Sequence, residues 1–406
     1  MLDACCLGVK IELGKKSQTD LFQSTIPLCP HHLSDAQRLE WLRLFRSPGI
    51  GPMTFRELLN CYGSAETAIH EMDERVRNGK RFSICSLERA ETEVAFAQQC
   101  GAHLVALNEP GYPRWLQDEM SAPPLLYVKG DPALANRPAV AIVGSRNASG
   151  PGMKFAGQLA YGFGQAGFVV ASGLARGIDK AAHEASLAGG TIAVLGGGID
   201  HIYPPQNERL YQQIAETGLL ISERPPGFRP QGKDFPRRNR LISGLSLGVV
   251  VVEAAQRSGS LTTARFAGEQ GRPVFAVPGH PLDPRAVGTN HLLKDGAVLV
   301  DSVEDVLEVL RQQIDQPAQL YAPAPSLHDD DVSQPGCPSP SSPAQPPLPR
   351  QELKQKVLEI LGPTPMDRDS LGRLLKCQTK DLQVVLFELE LEGVLECHGQ
   401  HNVSLK

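Results

Sequence analysis

No stretch of the chain stays apolar for the roughly 18 residues that a membrane-spanning helix requires, so no span is expected. Between Met1 and Cys29 there is no basic region followed by a sustained apolar core, so no secretory leader is expected and the chain reads as cytoplasmic. Nine cysteines are scattered without a Cys-x-x-Cys pair or Cys/His ligand spacing. That excludes the common zinc modules and fits free thiols in a reducing compartment. Neither sign of charge dominates: the formal net charge is −5, so any nucleic-acid binding must rest on a local basic patch. The Gly-x-Ser-x-Gly elbow, His-Glu-x-x-His and Walker A sequences are missing, and nothing supplies a nucleophile with its base. No catalytic residue, metal or cofactor is therefore expected.

What is present is enough for several folded units. At 406 residues the chain exceeds one ordinary domain, and a 41% hydrophobic share suffices for real cores. Residues 1–33 show no period and read as a variable extension. Ser34 and Asp35 are an N-cap signal for a helix carrying Leu39, Leu42 and Phe45. A turn with Gly49 and Gly51 follows, then a second helical pattern through Phe55, Leu58 and Leu59. Helix, Gly-x-Gly turn, helix is the pattern of a helix-hairpin-helix, whose turn amides can meet a DNA phosphate. The turn holds no Lys or Arg, which favours a plain helical domain. A further helix covers 86–99. Strand candidates at 103–107 and 125–128 flank a loop with Tyr112 and Trp115 that reads as core.

From there strand and helix signals alternate. Strands are expected at 139–143, 167–171, 191–195, 218–221, 247–252, 273–277 and 297–300, with helices between most of them. The rhythm argues for an α/β unit with a mostly parallel sheet and helices on both faces. Ten prolines between Pro317 and Pro349, with acidic Asp329, Asp330 and Asp331, mark a flexible linker over 313–350. Three amphipathic helix patterns (352–361, 367–376, 379–392) and two β-like stretches (394–397, 402–405) then have the shape of a winged helix. The expected units are thus 1–33, 34–105, 106–312, 313–350 and 351–406.

The chemistry concentrates in the α/β unit. The strand at 139–143 runs into Gly144, Ser145 and Arg146, and the strand at 167–171 into Ser172, Gly173 and, beyond, Arg176. Amides at a helix N-terminus face an anion, and an arginine adds a planar bidentate donor. Two such turns on neighbouring parallel strands lie at the edge where open α/β sheets bind ligands. Residues 233–244 hold Lys233, Arg237, Arg238 and Arg240 against one acid, Asp234, with Phe235 and Asn239 among them. Charge for a backbone and a ring for a base suit single-stranded nucleic acid. A solvated basic loop, or arginines held in ion pairs, explains the same residues; Arg146 and Arg176 tip the balance towards phosphate. Gly196, Gly197 and Gly198 lack the dinucleotide spacing and read as a loop shaping the site. Ser258, Gly259 and Ser260 open another helix and can cap it or present amides to an anion. Asp179 and His183 stand four apart on a helix and read as a structural pair.

These motifs together resemble the DNA-processing protein A family (DprA, also called Smf). The resemblance is carried by Val143-Gly-Ser-Arg146, Ser172-Gly-Leu-Ala-Arg-Gly-Ile-Asp179, Gly196-Gly-Gly-Ile-Asp200, Ser222-Glu-Arg-Pro-Pro-Gly227 and Phe235-Pro-Arg-Arg-Asn-Arg240. Ile242-Ser-Gly-Leu-Ser246, Ser258-Gly-Ser-Leu-Thr-Thr263, Phe275-Ala-Val-Pro-Gly279 and Gly288-Thr-Asn290 extend it over about 131–300. The resemblance implies an extended Rossmann-like, doubly wound domain with an N-terminal all-helical (SAM/helix-hairpin-helix-like) domain and a C-terminal winged helix. It implies a binding protein and not an enzyme: one that binds and protects incoming single-stranded DNA in natural transformation and recombination. The partners it implies are the RecA recombinase, a second copy through the Rossmann-like domain, and single-stranded DNA-binding protein. Its DNA-binding residues map here onto Gly144, Ser145, Arg146, Gly173, Arg176, Lys233, Phe235, Arg237, Arg238, Asn239, Arg240, Ser258, Gly259 and Ser260, with 233–240 as a basic contact loop. The winged helix departs in charge: its third helix carries Asp381, Glu388, Glu390 and Glu392, which leaves a partner-binding or spacer role open beside DNA contact. Two other functions stay open, a nucleotide-processing enzyme of the Rossmann-like phosphoribohydrolase group and an adaptor that recruits the recombinase alone.

Overall fold

A computed structural model of the chain describes residues 32–77, 83–315, 350–362, 366–375, 377, 379–398 and 402–405. The extension expected at 1–33 and the linker expected at 313–350 lie outside these residues except at their ends. Four helices come first: α1 (Asp35–Arg46), α2 (Pro52–Tyr62), α3 (Ala65–Arg77) and α4 (Leu87–Gln99). Ser34 and Gln37 cap α1 reciprocally, the side chain of each accepting from the other's backbone amide. The turn before α2 needs Gly49, whose φ of 83° few other residues adopt. Leu44, Phe45, Phe55 and Leu58 close a small core with Ala68 and Ile69 of α3, a helix not expected from the sequence.

The central unit runs β1 (His103–Ala106), α5 (Arg114–Gln117), β2 (Leu125–Gly130), β3 (Ala139–Val143), α6 (Gly150–Gln165), β4 (Val169–Ser172), α7 (Ile178–Ser186) and β5 (Thr191–Gly198). It continues α8 (Glu208–Thr217), β6 (Leu219–Arg224), α9 (Asp234–Gly244), β7 (Val249–Val251), α10 (Gly259–Glu269), β8 (Val274–Ala276), α11 (Val287–Lys294), β9 (Val298–Leu299) and α12 (Glu304–Asp315). The nine strands form one sheet in the order β1-β2-β6-β5-β4-β3-β7-β8-β9. β6 to β9 in that order pair parallel, while β1 and β2 add an antiparallel edge. All five residues of β3 are buried: Val140 and Ile142 enter one apolar cluster, Ala139, Ala141 and Val143 another. A strand covered by helices on both faces has this unbroken apolar run.

α6 shows why its glycines are tolerated. Each costs about 1 kcal/mol against alanine in a helix, yet a side-chain carbon at Gly162 would come within 2.5 Å of Val303, and one at Gly164 within 3.2 Å of the Gly189 backbone. Close packing offsets the lost helix propensity. Two expectations are corrected here. Residues 234–244 form the helix α9 and not a loop, because Leu241, Ile242 and, four residues after Leu241, Leu245 bury into the sheet core on one helical face. Gly196, Gly197 and Gly198 extend β5, where Phe235, Pro230 and the Pro225 carbonyl lie against them in turn and leave no room for side chains.

The C-terminal unit has α13 (Arg350–Ile360), β10 (Met366–Asp367), α14 (Arg368–Leu375), α15 (Thr379–Leu391), β11 (Leu395–His398) and β12 (Asn402–Leu405), a winged helix with sheet order β10-β12-β11. Two of the acids expected on the third helix are spent inside the module: Glu388 of α15 pairs with Arg350 at 3.0 Å, and Glu392, just past the end of α15, with Lys354 at 2.6 Å.

Candidate functional site

β3 ends at Val143 and the chain turns directly into Gly144, Ser145 and Arg146. On one side of β3 the parallel strands are β4, β5 and β6; on the other they are β7, β8 and β9. The winding therefore reverses between β3 and β7, and the loops leaving their carboxyl ends diverge and open a crevice. Ser149, which caps α6, hydrogen-bonds Glu253 just past β7 through its amide at 2.9 Å and through its hydroxyl, so the two lips are tied together.

Two overlapping cavities occupy the crevice. The larger, about 700 Å³, is lined by Gly144, Ser145 and Arg146, by Phe235, Arg238 and Asn239 of α9, and by Ser258, Gly259 and Ser260 at the start of α10. The smaller, about 250 Å³, shares Arg146, Phe235 and Arg238 and adds Gly173 and Arg176. Eleven of the fourteen residues selected from the sequence thus line one connected crevice, Arg146, Arg176 and Arg238 among them.

Three do not. Lys233 and Arg237 are exposed but line neither cavity. Arg240 is a correction: 9% exposed, it donates to Glu223 at 2.6 Å and to the Ser121 carbonyl at 2.7 Å, so its charge is already neutralised. Gly144 also has a second reason to be glycine, because a side chain would meet Ile178 of α7 at 2.6 Å. The turn after β4 is held by its own polar groups. Leu174 sits at φ 56°, a left-handed conformation rare for leucine. Asp179 accepts from the amides of Gly173 and Ala175, and Asn207 donates to the Leu174 and Ala175 carbonyls, which fixes the loop. Asp179 and His183 are consequently not partners, contrary to expectation. The His183 Nδ1 meets the Thr191 hydroxyl at 2.7 Å instead.

The electrostatics follow from burial. Arg238 is 7% exposed and its Nη1 donates to the carbonyls of Gly173 and Val194. Burial pulls its guanidinium down to about 10, Asp179 opposing and Arg146 adding to the fall, so it is a cation throughout the neutral range. Burial likewise pushes Asp179 above the usual carboxylate range, with Arg238 and the Ala175 and Gly173 amides working against it. Arg146, Arg176 and Arg257 are exposed and make no ion pair among the described residues. Asp179 is the one carboxylate among the residues lining the cavities, against four arginines. A ring platform completes the site: Tyr203 packs on Phe235 with centroids 5.2 Å apart, and the Arg146 guanidinium lies 5.4 Å from the Phe235 centroid. Tyr203, Asn147, Arg257 and Thr263 were missed in the sequence. Tyr203 carried a signal, an aromatic in a proline-rich turn at the sheet's carboxyl edge, and Thr263 closes the Ser258–Thr263 motif.

Comparison with known proteins agrees along most of the chain. Residues 103–311 match the family model for DNA recombination-mediator protein A, residues 35–95 that for the DprA-like N-terminal HHH domain, and residues 341–401 that for the DprA winged helix domain. The chain is 43% identical over 222 residues to the DNA processing protein DprA of Bacillus subtilis, a match covering 54% of this chain and 74% of that protein. It is 36% identical over 300 residues to Protein Smf of Synechocystis sp., covering 68% of this chain and 74% of that one. The X-ray structure of DNA processing protein A from Streptococcus pneumoniae superposes with a TM-score of 0.57 at 33% identity, over 68% of this chain and 98% of that one.

Proposed function

The chain belongs to the DNA recombination-mediator protein A family, and on that premise we propose that its crevice binds single-stranded DNA without reading sequence. The observation that carries this is the shared position of Arg146, Arg176 and Arg238 around the paired, tilted rings of Phe235 and Tyr203. Guanidinium groups hold successive phosphates, and a ring offers every base the same π-face. The exposed arginines attract the strand over distance. Arg238 is already stripped of water, so its attraction to a phosphate is screened less than that of a surface cation.

Fluorescence anisotropy with a labelled oligothymidine and a duplex of equal length, repeated across a salt series, tests the reading. The single strand is expected to bind tighter, and the logarithm of its affinity to fall with the logarithm of salt by about 0.7 per phosphate held. Equal affinity for the duplex, or an affinity indifferent to salt, removes the support.

The finer parts of the resemblance are proposals on the same footing. The protein protects incoming DNA in natural transformation, loads RecA onto it, dimerises through the central domain and acts in the cytoplasm, with single-stranded DNA-binding protein as a further partner. Stimulation of RecA strand exchange on protein-coated DNA checks the loading step. It acts by binding and not by catalysis: the cavities' one lining carboxylate, Asp179, is occupied by two backbone amides. Release of base from nucleoside monophosphates would favour the phosphoribohydrolase alternative.

A further inference from the structure

We propose that the α10 end of the larger cavity is a pocket for a phosphomonoester, borne either by the end of a DNA strand or by a free nucleoside monophosphate. The strand-end version rests on the single-strand reading above; the mononucleotide version does not. Ser258, Gly259, Ser260 and Thr263 line the larger cavity and not the smaller, so they lie beyond the shared station of Arg146, Phe235 and Arg238. α10 is 11 residues long, and its capping bond, from the Ser260 amide to the Ser258 hydroxyl, is 3.4 Å. The Gly259 amide makes no hydrogen bond among the described residues, and a side-chain carbon at Gly259 would meet open space.

The second observation is Thr263. It is 1% exposed, it lines the cavity, and its hydroxyl makes no hydrogen bond among the described residues. The side chain is otherwise enclosed, so its unpartnered hydroxyl is open only towards the cavity it lines, where a ligand can reach it. Thr263 follows Gly259 by four residues, about one turn further along the helix, and both line the larger cavity. Arg257 adds an exposed guanidinium on the cavity wall, free of ion pairs among the described residues. Asn239 orients the end of the helix: its Oδ1 accepts from Arg238 Nε at 3.2 Å and its Nδ2 donates to the Gly259 carbonyl at 3.2 Å. Amide, hydroxyl and guanidinium together are donors for three acceptors. A phosphodiester within a strand has two free oxygens and one charge, whereas a phosphomonoester has three oxygens and nearly two charges at neutral pH. The donor set fits the monoester.

The test uses the full chain and three oligothymidines: 5′-phosphorylated, 3′-phosphorylated, and hydroxyl at both ends. Thymidine monophosphate serves as a fourth ligand, titrated directly. One phosphate-ended strand is expected to bind about tenfold tighter than the hydroxyl-ended strand, the size of one charge-assisted contact. Thr263→Val is expected to bring that ratio close to one, and Thr263→Ser to retain most of it. Arg257→Ala, at an exposed position, should also reduce it and guards against a misfolded Thr263 variant. Saturable binding of thymidine monophosphate that Thr263→Val weakens assigns the pocket to free nucleotide as well. Equal binding of all three strands, with no binding of thymidine monophosphate, overturns the pocket and leaves the single-strand reading intact. Loss of every strand with retained mononucleotide binding does the reverse.

Discussion

Arg238 and Arg240 stand two residues apart on α9 and are buried alike, at 7% and 9% exposed. Two residues along a helix turn the side chain by about 200°, so the pair divides one helix into two regions. On the cavity face, Arg238 meets carbonyl oxygens, which orient it without cancelling its charge, and the nearest carboxylate, Asp179, is engaged by two amides. On the opposite face Arg240 meets the Glu223 carboxylate at 2.6 Å. The first arrangement keeps a desolvated positive charge available to a ligand; the second spends it on the fold. What separates a binding cation from a structural one is therefore the acceptor it already has, which a count of basic residues cannot show.

Substituting each arginine separates the two roles. Arg240→Ala leaves Glu223 buried and unpaired, a loss of about 3–5 kcal/mol in folding stability. The affinity of its folded fraction for oligothymidine is expected to stay within about twofold, the scale of a change away from direct contacts. Arg238→Ala leaves two carbonyls without a donor, costing about 1–3 kcal/mol for each unsatisfied group, and should also lower affinity more than about tenfold. Urea midpoints with anisotropy at matched folded protein measure both. If the two variants lose affinity equally, the division of α9 into two regions fails. A third buried group sharpens the contrast, because burial, aided by the charge of Arg238, holds His183 down to about 3. The unfolded chain then takes up the proton first as pH falls below the ordinary histidine value near 6.5. Stability present above pH ~6.5 should erode by up to roughly 1.4 kcal/mol per unit towards pH 3. Asp179, shifted upwards, works in the opposite sense only near its own range. Unfolding at pH 7 and pH 5 checks this; an equal acid loss in His183→Leu would exonerate the histidine.

The mostly parallel sheet was legible because β3 to β9 announce themselves as short apolar runs between turn residues, and the period survives in the sequence. The rim positions of Arg146, Arg176 and Ser258 were legible for the same reason: each lies in the loop that leaves the carboxyl end of a parallel strand, so topology alone brings them together. α9 was not. Its basic residues resemble a solvated loop, and only the burial of Leu241, Ile242 and Leu245 reveals the helical period. Asn239 was legible as a polar residue of the basic segment, but its bond to the Gly259 carbonyl joins segments 20 residues apart, information that no local pattern holds.

Arg146→Ala tests the exposed side of the rim. The residue is exposed and makes no ion pair among the described residues, so stability should change by less than about 0.5 kcal/mol. Affinity for oligothymidine should fall about tenfold at low salt, since both a phosphate contact and the cation over Phe235 are lost. The gap from wild type should narrow as salt rises, because the released counterions are part of what the variant forfeits.

The smallest effect is expected at Lys233 and Arg237, and it decides how far the site extends. Both are exposed and line neither cavity, so they can act on a strand only through solvent and its ions. At ionic strengths near 0.15 M the Debye length is about 8 Å, which leaves such charges a modest steering role. Each alanine variant should lower affinity by about twofold or less, mainly through the association rate, with little change in dissociation. Stopped-flow mixing with labelled oligothymidine separates the two rates. A tenfold loss seated in the dissociation rate would mean that the strand leaves the crevice and runs along the outer face of α9, and the boundary drawn between its two faces would have to move.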